Sequence, residues 1–128
     1  MPGAHPQVLV AEDDEALRKM IGHFLTDVGV EVHMAADGLT ALEWLKAQER
    51  PPDLLVTDLM MPRMDGLALV RAVKADPKLA RTPVIMLTAK DRPADVVTGI
   101  NAGARHYLTK PFKKDELIAK VKKVLRID

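Results

Sequence analysis

The chain alternates between two hydrophobic periods. Val8-Leu9-Val10-Ala11 is an unbroken apolar run that stops at Glu12-Asp13-Asp14. A short run of this kind, without alternation, predicts a strand covered on both faces. From Asp14 the period lengthens. Leu17, Met20, Ile21, Phe24, Leu25 and Val28 fall at helical spacing, with Asp14 as the N-cap and Gly29 where a C-terminal cap belongs. The change of period recurs. Further strands are predicted over 30–34, 54–57, 84–87 and 106–109. Between them, one helix opens at Asp37-Gly38 with Leu39, Leu42 and Leu45 on one side, and another follows Gly66 with Leu67, Leu69, Val70 and Val73. A fourth helix is predicted over 94–101, ending near Gly103, and a fifth carries Leu117, Ile118, Val121, Val124 and Leu125. Pro51-Pro52 and Pro83 punctuate the connections, since proline donates no ladder hydrogen bond.

Five strand–helix pairs in strict alternation predict an α/β fold, a doubly wound five-stranded parallel sheet, (βα)5. One domain is expected over 7–128, preceded by a disordered leader at 1–6 that holds two prolines and a glycine. Composition agrees with a globular chain: 128 residues, 48% hydrophobic and 29% charged, with no repeat or linker. The absence of cysteine removes thiol catalysis, disulfides and cysteine zinc sites together. Nineteen basic against eighteen acidic residues leave a formal +1, which predicts no attraction to nucleic acid or membrane from net charge. No apolar run approaches the roughly 18 residues of a membrane span, and Met-Pro-Gly-Ala-His-Pro lacks a secretory pattern. A cytoplasmic location is the expectation.

In such a sheet, ligands sit beyond the carboxyl ends of the strands. The residues that end each apolar run therefore matter most: Glu12 and Asp13, then Asp58, Thr88 and Lys110. Singly, each has a plain reading as a cap, a turn residue or a solvated cation. Together they place three carboxylates, a hydroxyl and an ammonium at one edge. Clustered carboxylates without histidine or thiol favour a hard cation such as Mg²⁺, which keeps several waters and recruits phosphate oxygens. Asp58 could then act as an oxygen nucleophile toward phosphorus, with Lys110 and Thr88 contacting phosphoryl oxygens. Phosphoryl transfer asks mainly for such positioning and charge neutralisation.

The motifs Val-Leu-Val-Ala-Glu12-Asp13-Asp14, Val-Thr-Asp58-Leu-Met60-Met61-Pro62-Arg63-Met64-Asp65-Gly66, Val-Ile-Met-Leu-Thr88-Ala89-Lys90 and Tyr107-Leu-Thr-Lys110-Pro111-Phe112, with Gly103-Ala104, resemble the receiver domain of two-component response regulators. The resemblance covers essentially residues 7–126. It implies a flavodoxin-like fold that is a signalling domain rather than an enzyme, with Asp58 taking a phosphoryl group from a sensor histidine kinase or a histidine phosphotransfer protein. It implies Mg²⁺, replaceable by Mn²⁺ or Ca²⁺, on the Asp13 and Asp58 carboxylates and the Met60 backbone carbonyl, with Glu12 contributing through water. Met60, Ala89 and Lys110 match phosphoryl contacts, Thr88 and Tyr107 match the switch pair, and the Lys110–Pro111 bond is expected to be cis. Phosphorylation would bias a two-state equilibrium and alter the surface of the fourth helix, fifth strand and fifth helix, which meets a downstream target or output domain.

This chain also departs from the pattern. Arg105 and His106 stand where DNA-binding regulators often carry an acidic pair, and Val96 and Val97 stand where their fourth helix is often charged. The usual symmetric dimer is thus not expected; a monomer or weak dimer is. Lys113, Lys114, Lys120, Lys122, Lys123 and Arg126 on the last helix read as a solvated face or a dock for an acidic partner, not as a nucleic-acid site. Met60 cannot orient an attacking water and Lys90 could cover a phosphoryl group, so a long-lived phosphorylated state is expected. Met20, Met61, Met64 and Met86 are expected to fill core and loop gaps, and Trp44 to pack. An aspartate-nucleophile phosphatase would need a second aspartate at position 60, and a flavodoxin would need a Ser/Thr/Gly-rich loop after the first strand. A phosphate-independent receiver, acting only as an interaction module, is the alternative. The chain ends just after the last helix, as a stand-alone receiver or one cut from a longer regulator would; its length favours the first.

Overall fold

The computed structural model describes residues 5–89 and 93–127. Ten elements alternate: β1 (Gln7–Ala11), α1 (Glu15–Thr26), β2 (Glu31–Ala35), α2 (Gly38–Ala47), β3 (Leu54–Asp58), α3 (Gly66–Ala75), β4 (Val84–Ala89), α4 (Ala94–Ala102), β5 (His106–Lys110) and α5 (Lys114–Leu125). All strand pairs are parallel, in the order β2-β1-β3-β4-β5. This is the doubly wound parallel (βα)5 sheet that the alternating periods predicted, in the flavodoxin-like form that the resemblance implied.

The sheet divides two apolar layers because successive strand side chains point to opposite faces. Leu9, Leu55, Val84 and Met86 pack with Leu42 and Leu45 of α2 and Leu69 and Val73 of α3. Val10, Val56, Ile85 and Leu87 pack on the other face with Ile21 and Leu25 of α1 and Leu117 and Val121 of α5. The central strands β1, β3 and β4 are buried on both faces, which is why they read as continuous apolar runs. β2 lies at an edge, and Met34 on it is 50% exposed.

Three aspartates cap helix starts, of which the sequence marked Asp14 as an N-cap and Asp37-Gly38 as a helix opening. Asp14, Asp37 and Asp65 accept from the backbone N–H of Leu17, Thr40 and Ala68 at 3.0, 2.7 and 2.8 Å. Four local expectations need correction. α1 stops at Thr26, so Val28 lies outside it, and Gly29 serves the reversal into β2, where its φ of +88° suits glycine. Met20 is exposed rather than filling the core. Gly66 is the first residue of α3, with Asp65 as its cap. Lys113 and Arg126 flank α5 instead of belonging to it. The Lys110–Pro111 bond is cis, as the resemblance implied. Trp44 is half-buried, its ring 4.6 Å from that of His33.

Candidate functional site

The parallel topology brings the ends of β1, β3, β4 and β5 to one edge of the sheet. Glu12 and Asp13 follow β1, Asp58 is the last residue of β3, and Lys110 is the last of β5. One carboxylate oxygen from each of Glu12, Asp13 and Asp58 lies within 4.8 Å of the others. Lys110 Nζ donates to Glu12 Oε1 at 2.9 Å and lies 3.0 Å from Asp58 Oδ2. Four of the residues singled out from sequence thus form one cluster.

Burial gives this cluster its electrostatic character. Glu12 is fully buried, and desolvation pushes its carboxyl up to about 7, against the lowering pulls of the Asp14 N–H and Lys110. For Lys110, desolvation pulls the ammonium down, but its bonds to Glu12 and Asp58 outweigh this and hold it above its ordinary value. Among the described residues, one ammonium faces three carboxylates, which leaves capacity for a further positive charge. The donor set is all oxygen, which fits a divalent cation of the Mg²⁺ kind.

The loop after β3 is pinned by contacts that only glycine permits. Leu59 donates to Asp58 Oδ1 at 2.8 Å, and Gly66 N–H bonds the Leu59 carbonyl at 2.8 Å. A Cβ at position 66 would collide with the Asp58 carbonyl oxygen, and one at position 38 with that of Met64. Arg63, at φ +67°, reaches Asp37 Oδ2 at 3.3 Å, and Arg18 Nη1 donates to the Glu12 carbonyl at 2.9 Å. Sequence reasoning missed Arg18, Arg63 and both close approaches. The available signal was the repeated Asp-Gly pair at 37–38 and 65–66, which served there only as a helix-start cue.

Among the described residues, the remaining candidates make no hydrogen bond or ion pair with the carboxylates. Thr88 is 1% exposed, and its hydroxyl finds no hydrogen-bond partner among the described residues. Tyr107 is exposed, with Lys120 Nζ 5.9 Å from its ring centroid. Met60 is exposed, and Ala89 lies beside Lys110 in the β4–β5 register. Lys90 lies outside the described residues.

The response regulator receiver domain profile matches residues 8–122, and the chain belongs to that family. It is 42% identical over 120 residues to the response regulator MprA of Mycobacterium ulcerans, covering 94% of this chain and 50% of that protein. The chain therefore spans about half the length of the curated relatives it matches. Among solved structures, chemotaxis response regulator CheY4 of Vibrio cholerae aligns with a TM-score of 0.85 at 36% identity, over 94% of this chain and 99% of that one. The receiver domain of sensor histidine kinase PA1611 from Pseudomonas aeruginosa, which holds a magnesium ion in its active-site cleft, aligns with a TM-score of 0.86 at 30% identity, over 96% and 99% of the two chains. The protein is thus a receiver domain of the two-component response regulator class, a signalling domain with an acidic pocket. Among the described residues, no helix is long and apolar enough to cross a membrane.

Proposed function

We propose that Asp58 accepts a phosphoryl group from a phosphohistidine of a sensor kinase or phosphotransfer protein, in a divalent-cation-dependent reaction within the cytoplasm. The observation that carries this reading is the convergence of Glu12, Asp13, Asp58 and Lys110 at one sheet edge. A carboxylate oxygen of Asp58 attacks phosphorus, the P–N bond breaks, and the imidazole leaves with its electron pair and takes up a proton. Lys110, already 3.0 Å from Asp58, meets the new phosphoryl charge. Asp13, Asp58 and the Met60 carbonyl would hold Mg²⁺, with Glu12 acting through water; Mn²⁺ or Ca²⁺ can replace it. The cation supplies charge neutralisation at the phosphoryl oxygens. Ala89 lies beside Lys110 and would offer its backbone to the same group.

The signal then leaves through Thr88 and Tyr107. An unpartnered buried hydroxyl gains a bond if it reaches the phosphoryl group, which favours the state in which it does. The face that would respond carries exposed Val97 and Ile100 of α4 and Tyr107 of β5 beside Lys120 of α5. This mixed apolar and basic face suits a protein target or output domain. Addition of Mg²⁺ and beryllofluoride to ¹⁵N-labelled protein tests the scheme. Amide shifts should appear at the ends of β3, β4 and β5 and across α4, β5 and α5, and be absent in Asp58→Asn. Shifts confined to the metal residues would overturn the switch.

A further inference from the structure

At the opposite edge of the sheet, where β4 and β5 begin, a cavity of about 420 Å³ lies between the C-terminal ends of α3 and α5. Its basic lining is Lys74, Arg81, Arg105, His106 and Arg126, and among the described residues no carboxylate contributes to it. We propose that this cavity is a binding site for a small anionic ligand carrying two or more linked phosphate groups.

The cations here exceed what fold stability requires. A lysine in the last turn of α3, Lys74, and two in the last turn of α5, Lys122 and Lys123, complement the helix dipoles. Arg81, in the loop before β4, and Arg105 and His106, at the start of β5, have no such role. Among the described residues, Arg81, Arg105 and Arg126 form no ion pair. Lys74 Nζ is fixed at the wall by the carbonyls of Ala80 and Thr82, at 3.1 and 2.7 Å, which orient its charge without neutralising it. The resulting positive potential is felt locally. Burial and then Arg105 push the Lys74 ammonium down, and burial followed by Lys120, Lys123 and Arg105 lowers His106.

Ligand chemistry follows from charge, shape and size. Three guanidinium groups present forked donors that match phosphate oxygens in pairs. Three arginines and a lysine exceed the charge of one carboxylate or one phosphate, whereas a diphosphate approaches balance. The volume falls within the range of about 300–1,000 Å³ typical of small-molecule sites. The site lies at the other edge of the sheet from Asp58, so this inference does not rest on the phosphoacceptor reading.

The test is titration of ¹⁵N-labelled protein, in metal-free low-salt buffer, with inorganic pyrophosphate, ADP, acetate at matched ionic strength, and a short DNA duplex. Pyrophosphate should give saturable shifts at Arg81, Arg105, His106 and Arg126, and acetate none. The Arg81→Gln/Arg105→Gln double variant should bind pyrophosphate roughly tenfold more weakly or worse. Because both arginines are exposed, its unfolding midpoint should be unchanged, as should its labelling at Asp58. Tighter binding of ADP would assign a nucleotide, and equal binding the diphosphate group alone. Linear shifts, equal effects of acetate, an unweakened double variant, or duplex binding tighter than pyrophosphate would each overturn the proposal.

Discussion

At Thr88, burial and hydrogen bonding are at odds. Its hydroxyl is shielded from water yet unpartnered among the described residues, an arrangement that costs a protein about 1–3 kcal/mol. Thr88→Val keeps the shape and removes the hydroxyl. It should raise the stability of the unphosphorylated protein by about 1 kcal/mol in urea unfolding, while abolishing the beryllofluoride shift at Tyr107. A less stable variant that still switches would contradict the role given to Thr88. At this scale Glu12, Asp58 and Lys110 were legible because each interrupts an apolar run. Arg18 and Arg63 were not, because an arginine on a turn or a helix flank has no period that marks what it touches. Nor could sequence show that Thr88 lacks a partner among the described residues.

The elements were legible where both faces of a strand or one face of a helix are buried. β1, β3 and β4 followed from continuous apolar runs, and α5 from its stripe of Leu117, Val121 and their neighbours. Ends were less legible. Val28 continues the helical spacing of α1 although the helix has stopped at Thr26, since an apolar residue in the following turn packs against the same layer. The Asp-Gly pairs marked helix starts but gave no hint that the loop after β3 packs onto both glycines. Gly66→Ala would force the new methyl against the Asp58 carbonyl oxygen. It should destabilise the fold by about 1–3 kcal/mol and slow phosphorylation by displacing Asp58, as read by unfolding and by labelling rate. Undiminished stability and rate would show that this contact does not set the loop.

Across the whole molecule, a formal charge of +1 conceals a separation. Carboxylates gather at the C-terminal edge of the sheet and cations at the N-terminal edge of β4 and β5. Only the first was legible, because adjacent acids and strand ends announce it. The second joins α3, a loop, β5 and α5, and needs the strand order to be seen. Its electrostatics give a pH signature. Burial, then Lys120 and Lys123 of α5 and Arg105, lower His106, while Lys74 of α3 and Arg126 line the same cavity. A base whose folded pKa lies below its unfolded value of about 6.5 disfavours protonation in the fold. Its contribution is fully present above that value and is lost as pH falls through the window below it. His106→Gln should therefore lose less stability than the parent between pH 7.5 and 5.5 in urea unfolding. An identical loss would contradict the depression.

The central claim is that this receiver takes its phosphoryl group on Asp58. Intact mass after incubation with Mg²⁺ and a small acyl phosphate tests it most directly. One added phosphoryl group on the parent, absent without Mg²⁺ and absent in Asp58→Asn, is the predicted result. An adduct that persists in Asp58→Asn, or a parent that neither gains the group nor forms a stable beryllofluoride complex, would contradict it.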